Sequence, residues 1–173
     1  MYTIRLAREA EVDLLPPIET EAGSLFIAIG MADVAQGQPT GVEEHRAGCA
    51  RGQLWVAAGG DDRPVGFALV KELDGCVYLE EISVHPDHGR RGLGARLLDA
   101  VADYARSAGL PAVTLSTFRD VAWNGPWYRA YGFRTLREDE LTSGLLEVRR
   151  REAASGLDVG ARCFMRLEAV VRR

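Results

Sequence analysis

The chain has 173 residues, a formal net charge of −4, 47% hydrophobic and 27% charged residues. That is an ordinary globular composition, and the length predicts one domain, residues 1–173, able to bury roughly 70% of its unfolded surface. The acidic balance argues against a sequence-independent nucleic-acid binder, which carries a basic stripe, and no apolar stretch approaches the roughly twenty residues of a membrane span.

Taken in order, Tyr2–Leu6 alternates and reads as a first strand. Glu9–Glu21 is helical in period but interrupted by Pro16-Pro17, which predicts two short pieces with the proline pair ending or kinking a helix. Residues 25–34 are mixed apolar, 36–41 form a loop, and Val42–Ala50 reads as a short helix. Residues 16–50 carry the weakest structural signal and are expected to supply a variable substrate wall, since binding residues often sit on loops held by a scaffold. Leu54–Ala58 and Val65–Val70 are apolar strands, and Asp74-Gly75 marks a hairpin turn into Val77–Val84. His85-Pro86-Asp87 breaks that strand, because Pro86 cannot donate to a ladder.

Past the break, Leu93, Leu97, Leu98, Val101, Ala102, Tyr104 and Ala105 recur at helical spacing, with Gly109 as the residue after the cap and Pro111 preventing continuation. Val113–Thr117 follows as a strand parallel to Val77–Val84, because a helix crosses over between them. Trp123–Tyr131 reads as a short helix stopped by Gly132, Phe133–Leu136 and Arg162–Leu167 as strands, and Glu138–Ala154 as a charged helix. The class is α/β around a mixed sheet. Cys49, Cys76 and Cys163 stand at no metal-ligand spacing and read as buried thiols of a reducing cytoplasm. His45, His85 and His88 form no spaced cluster, so no metal is expected, and the N-terminus lacks a signal-peptide core.

The chemistry concentrates in His88–Leu98, HGRRGLGARLL. Strand, Gly/Arg loop and helix start aim several backbone N–H groups at one point. The helix terminus adds about half a positive charge, and Arg90 and Arg91 add two whole ones. Gly92 and Gly94 have no Cβ, so an anion can approach the main chain closely. A P-loop is excluded because no Gly-Lys-Ser/Thr follows. A dinucleotide fingerprint fits poorly, since Leu97 stands where a third Gly or Ala is required and the next strand ends Leu115-Ser116-Thr117 without an acid.

The loop resembles the acyl-CoA pyrophosphate loop of the GNAT N-acetyltransferases, Gln/Arg-x-x-Gly-x-Gly/Ala, with Gly92, Leu93 and Gly94 on its last three positions and Gly89 where Gln or Arg is usual. About forty residues on, Tyr128-Arg129-Ala130-Tyr131-Gly132-Phe133 resembles the family's Tyr-x-x-x-Gly-Phe. The family often has Asn seven residues before that Tyr, where Val121 stands, and Asn124 lies four before it. The order of elements is similar to the family's over nearly the whole chain. The resemblance implies a single-domain GNAT fold: a mixed, mostly antiparallel sheet whose parallel pair diverges after Val84 and Leu115 to admit acyl-CoA.

It further implies that acetyl-CoA is the co-substrate. Its pantetheine arm would bond the main chains of Ile82, Ser83 and Val84, and its pyrophosphate would meet Gly89, Arg90, Arg91, Gly92, Leu93, Gly94 and Ala95. Asn124 and Pro126 would flank the thioester. The reaction is attack of an amine on the thioester. At pH 7 only about one aliphatic amine in 2,500 is unprotonated, a cost of about 4.6 kcal/mol that a positioned base can offset. Glu80 and Glu81 lie on opposite faces of their strand as candidate bases, and Tyr128 is the candidate acid for the departing thiolate. The implied partner is a small-molecule primary amine, with no nucleic acid and no membrane, and a homodimer stays open. An acyl-CoA sensor with little catalysis, or an acceptor on a protein N-terminus or lysine, are the alternatives.

Overall fold

The computed structural model describes residues 1–169. Seven strands are hydrogen-bonded in the order β1-β2-β3-β4-β5-β7-β6. They are β1 (Thr3–Leu6), β2 (Leu54–Ala58), β3 (Pro64–Leu73), β4 (Cys76–Val84), β5 (Ala112–Phe118), β6 (Arg134–Thr135) and β7 (Arg162–Glu168). The helices are α1 (Leu15–Gly23), α2 (Ala32–Ala35), α3 (Val42–Ala50), α4 (Leu93–Ser107), α5 (Gly125–Tyr131) and α6 (Ser143–Ala154). The chain divides into two compact units, one of Met1–Lys71 with Glu80–Val101, the other of Glu72–Leu79 with the described residues from Ala102 on. Among the described residues no helix is long and apolar enough to cross a membrane.

In the first unit, β1 pairs antiparallel with β2 and β2 with β3, with Val56 opposite Phe67 and Leu54 opposite Leu69. The two-residue strand period puts these four side chains on one face, where they meet Val12, Leu15 and Ile18, spaced three apart along a 3₁₀ turn and α1. Burying each such side chain contributes about 1.5–3 kcal/mol. Pro16 and Pro17 open α1 and do not end it, because a first turn has no N–H ladder for proline to break. The mixed segment before α3 resolves into a 3₁₀ turn, Ser24–Ile29, and α2.

In the second unit, Val77 and Tyr78 of β4 lie parallel to Val113 and Thr114 of β5, and β5 pairs antiparallel with β7 along its whole length. Tyr78, Leu145, Val148 and Phe164 form its core, with Leu73, Leu136 and Leu141 packed against them. α4 ends as the Gly109 signal requires: Leu110 N–H bonds Ala105 O at 2.9 Å and Gly109 N–H bonds Arg106 O at 3.2 Å, a Schellman cap.

Several local expectations are corrected. Within the second unit the β4–β5 ladder runs over Val77↔Val113 and Tyr78↔Thr114. The seven-pair ladder to β7 holds β5 from its other side. The strand expected over Phe133–Leu136 is reduced to Arg134–Thr135, because Phe133 N–H is taken by Tyr128 O in the helix cap at 3.0 Å. The charged helix starts only at Ser143, where the Thr142 hydroxyl accepts the Leu145 N–H and caps it, leaving Glu138–Glu140 as a 3₁₀ turn. The helix expected from Trp123 starts at Gly125. Cys76 and Cys163 are buried as expected, whereas Cys49 is only half-buried, its thiol bonded to Ala7 O at 3.3 Å.

Candidate functional site

β4 seats the first part of the site. A Cβ on Gly66 of β3 would stand 2.9 Å from Ser83 O and 3.1 Å from Val84 Cγ2, so only glycine lets β3 lie this close to the end of β4. His85 N–H then bonds Val65 O at 2.8 Å. β3 thus lies along one edge of β4 at Ile82, Ser83 and Val84. Buried main-chain groups require partners, and the main-chain groups on the other edge of β4 are the ones an extended ligand could meet.

The alternation of β4 separates the two candidate carboxylates. Glu80 Oε1 is 2.6 Å from Lys71 Nζ. Glu81 Oε1 accepts the hydroxyl of Ser83, two residues on and on the same face, at 2.8 Å. Burial pushes the pKa of His45, on α3, below its ordinary value, with the carboxylates of Glu44 and Glu80 acting in the opposite direction.

The loop after β4 begins with a 3₁₀ turn, Pro86–His88, in which His85 Nδ1 accepts the Asp87 N–H at 3.2 Å. Gly89 is extended, Arg90 has φ 57° and Gly92 φ 72°. The left-handed turn therefore falls partly on a non-glycine residue, at a cost of about 1–2 kcal/mol. Turns of this kind make successive N–H groups converge on an anion. A Cβ on Gly92 would meet nothing within 4 Å, so the main chain there faces open space. The first N–H of α4 to close a loop-side bond is that of Arg96, on Gly92 O at 3.1 Å; the N–H groups of Leu93, Gly94 and Ala95 precede the helical ladder and point outward from its start.

The remaining site residues lie together on α5 in the second unit. Asn124 is its N-cap, yet the side chain makes no capping bond. Its Oδ1 is buried and has no hydrogen-bond partner among the described residues. Pro126 stands in the first turn, where its missing N–H costs nothing. Tyr128 is 6% exposed, edge-on to Trp127 with ring centroids 5.0 Å apart and to Phe133 at 5.4 Å.

Glu80 to Ala95 thus gather in one unit, and Asn124, Pro126 and Tyr128 gather in the other. Sequence reasoning missed Lys71 and His45. A two-residue turn at Asp74-Gly75 puts Lys71 and Glu80 on the same face by counting back along both strands, so Lys71 was recoverable. For His45, within the polar run Glu43-Glu44-His45-Arg46, no sequence signal announced burial.

Residues 27–133 match the family model described as the acetyltransferase (GNAT) family. The chain belongs to the acetyltransferase (GNAT) family. Solved structures repeat the GNAT fold over the whole chain. An acetyltransferase of the GNAT family from Staphylococcus aureus Mu50 is 16% identical, with TM-score 0.73, covering 98% of this chain and 100% of that one. PaiA N-acetyltransferase from Thermoplasma acidophilum, in complex with coenzyme A, is 15% identical with TM-score 0.69, covering 97% and 99%. N-acetylglutamate synthase from Neisseria gonorrhoeae, complexed with coenzyme A and N-acetyl-glutamate, is 20% identical with TM-score 0.71; the match covers 99% of this chain and only 36% of that longer one. GNAT membership assigns the reaction class, CoA-dependent acyl transfer in general. In the first unit the open approach at Gly92 fits the phosphates of an acyl-CoA, and in the second unit the unpartnered Oδ1 of Asn124 fits a ligand N–H.

Proposed function

We propose that the chain is a single-domain, cytoplasmic N-acetyltransferase that moves an acetyl group from acetyl-CoA to the primary amine of a small molecule. The observation that carries this reading is the loop from Gly89 to Ala95, with left-handed turns at Arg90 and Gly92 and open space before Gly92, at the start of α4. A loop of this shape at the end of β4 supports the reading of a phosphate cradle. Acetyl-CoA would supply an activated thioester. Around it, the main chains of Ile82, Ser83 and Val84 hold the amides of the arm, the amides from Gly92 to Ala95 hold pyrophosphate with the charges of Arg90 and Arg91, and Asn124 accepts an N–H at its Oδ1. Pro126 packs at the start of α5.

The C–N bond forms as the C–S bond breaks. Glu80 or Glu81 takes the proton lost by the amine, directly or through water, and the Tyr128 hydroxyl gives a proton to the departing sulfur. Glu80 is already paired with Lys71 and Glu81 with Ser83. The described partner of Glu81 is a neutral hydroxyl and that of Glu80 a cation, which favours Glu81 as the proton acceptor. The test is release of free thiol from acetyl-CoA across a panel of primary amines, with mass spectrometry of the products. Stoichiometric thiol and N-acetylated amine support the reading. Tight CoA binding with no transfer to any small amine, but with acetylation of peptide N-termini or lysines, would move the acceptor to a protein. Binding without any transfer would make the chain an acyl-CoA sensor.

A further inference from the structure

The unit that holds the phosphate loop also holds a cavity of about 460 Å³ whose lining includes Tyr2, Gly60, Asp61, Arg63, His88 and Arg91. Its size lies in the range of small-ligand pockets. His88 and Arg91 come from the loop itself, and Arg63 from the turn between β2 and β3. The cavity is therefore contiguous in sequence and structure with the cradle, but Arg63 and Tyr2 have no part in the cradle.

The chain's arginines are mostly committed to carboxylates: Arg5 to Glu11, Arg8 to Asp62, Arg134 to Glu140, Arg149 to Glu138, Arg162 to Glu152 and Arg166 to Glu168. Arg63, Arg90 and Arg91, like Arg51, Arg96, Arg119 and Arg129, form no ion pair among the described residues, and Arg63 and Arg91 both line this cavity. Asp61, its one acid, turns onto its own loop, its Oδ1 accepting the Arg63 N–H at 3.3 Å. The wall is also braced. Tyr2 Oη and His88 Nδ1 are 2.8 Å apart, the Arg91 guanidinium stands 5.8 Å over the Tyr2 ring, and Arg96 Nη2 bonds Tyr2 O at 3.0 Å. Tyr2 thus fixes His88 and Arg91 together, and leaves His88 Nε2 as the ring's remaining polar atom.

We propose that this cavity binds a second phosphate, the 3′-phosphate monoester on the ribose of CoA, through Arg63, Arg91 and His88. The inference rests on the CoA reading above and deepens it. CoA carries its pyrophosphate and its 3′-phosphate one ribose apart, so a ligand seated in the cradle brings a second dianion to the same neighbourhood. In a chain of net charge −4, approach of so anionic a ligand is unfavourable unless local cations can meet it, and Arg63 and Arg91 in this cavity's wall can do so. Arg63 is the discriminating residue because it is exposed, lies in a turn and is outside the cradle.

The test is calorimetric titration of wild type and Arg63→Gln with CoA, dephospho-CoA, adenosine 3′,5′-bisphosphate and inorganic phosphate. Wild type is expected to bind CoA about tenfold or more tightly than dephospho-CoA, the size of one charge-assisted hydrogen bond to phosphate. Arg63→Gln is expected to erase that preference while binding dephospho-CoA as wild type does. His88→Asn, on the same cavity wall, should reduce the preference in the same way. Equal wild-type affinity for CoA and dephospho-CoA overturns the inference and leaves the acetyltransferase reading intact. So does an Arg63→Gln variant that weakens both ligands equally, which would make Arg63 a general attractor only. Binding of inorganic phosphate as tight as that of the bisphosphate would assign the cavity to a free anion and also overturn it. Failure of every CoA species to bind wild type would refute the acetyltransferase reading itself.

Discussion

Asn124 gives opposite signs for stability and binding, which is what separates a ligand contact from a structural one. Its Oδ1 is buried with no hydrogen-bond partner among the described residues, and its side chain does not cap α5 although it occupies the N-cap. Leaving a buried acceptor unsatisfied costs about 1–3 kcal/mol. The substitution Asn124→Ala removes that acceptor without removing a cap, so the helix-capping loss of about 1 kcal/mol that Asn→Ala usually brings is absent. The free protein should become more stable, by about 1 kcal/mol once the small loss of packing is subtracted. In the complex the same oxygen accepts a hydrogen bond, and its loss should weaken CoA binding by about 1 kcal/mol, roughly fivefold. Urea denaturation with and without saturating CoA reads both numbers from one variant. A variant that is less stable without CoA, and unchanged in CoA affinity, would mean that Asn124 serves the fold and not the ligand.

Tyr128→Phe keeps the ring edge-on to Trp127 and Phe133 and removes only the hydroxyl; kcat should fall by about 10²–10⁴-fold with CoA affinity nearly constant, and an unchanged kcat would leave proton delivery to water. Glu81→Gln should lower kcat/KM and abolish the acidic limb of its pH profile, whereas Glu80→Gln should preserve that limb and instead free Lys71; the reverse pattern would exchange their roles. His45 supplies a pH dependence of stability. Its folded pKa lies below the ordinary value because of burial, so only the unfolded chain takes up its proton near pH 6.5. Stability is then complete above about pH 6.5 and falls as pH drops toward the folded pKa, by at most about 1.4 kcal/mol per pH unit. His45→Gln should flatten that decline in urea midpoints measured between pH 7.5 and 5.5, and an unaltered slope would assign it to other groups.

How far the sequence discloses this arrangement depends on whether the information is local. α3 begins and ends at Val42 and Ala50 as its pattern indicates, and β2 at Leu54 and Ala58, because binary patterning and flanking loop residues act within a few positions. The Asp74-Gly75 turn has φ 50° and 73°, the pair of left-handed residues a tight hairpin needs. The pairing of β5 is different in kind, because its full-length partner β7 lies some fifty residues further along the chain. Arg90 in a left-handed conformation was equally hidden, since glycine is the residue that signals such a turn and three glycines stand nearby. Among the site residues, the motif pattern singles out Gly92, Gly94 and Tyr128 as candidates, while the pairing of Glu80 with Lys71 and the burial of His45 are tertiary facts. The cavity beside the loop was hidden for the same reason, because Tyr2, Arg63 and Arg91 are brought together only by the sheet.

The cradle can be tested without knowing the acceptor, by calorimetric titration of acetyl-CoA into wild type and Gly94→Val, with circular dichroism confirming the fold of each. Gly94 lies in the first turn of α4; a helical Cβ leans toward the helix N-terminus, so a valine there would crowd the N–H groups proposed to hold pyrophosphate. Wild type should bind acetyl-CoA, and folded Gly94→Val should bind it at least about a hundredfold more weakly, the loss of two charge-assisted hydrogen bonds. Unchanged affinity in a folded Gly94→Val protein would contradict the assignment of this loop to the phosphates.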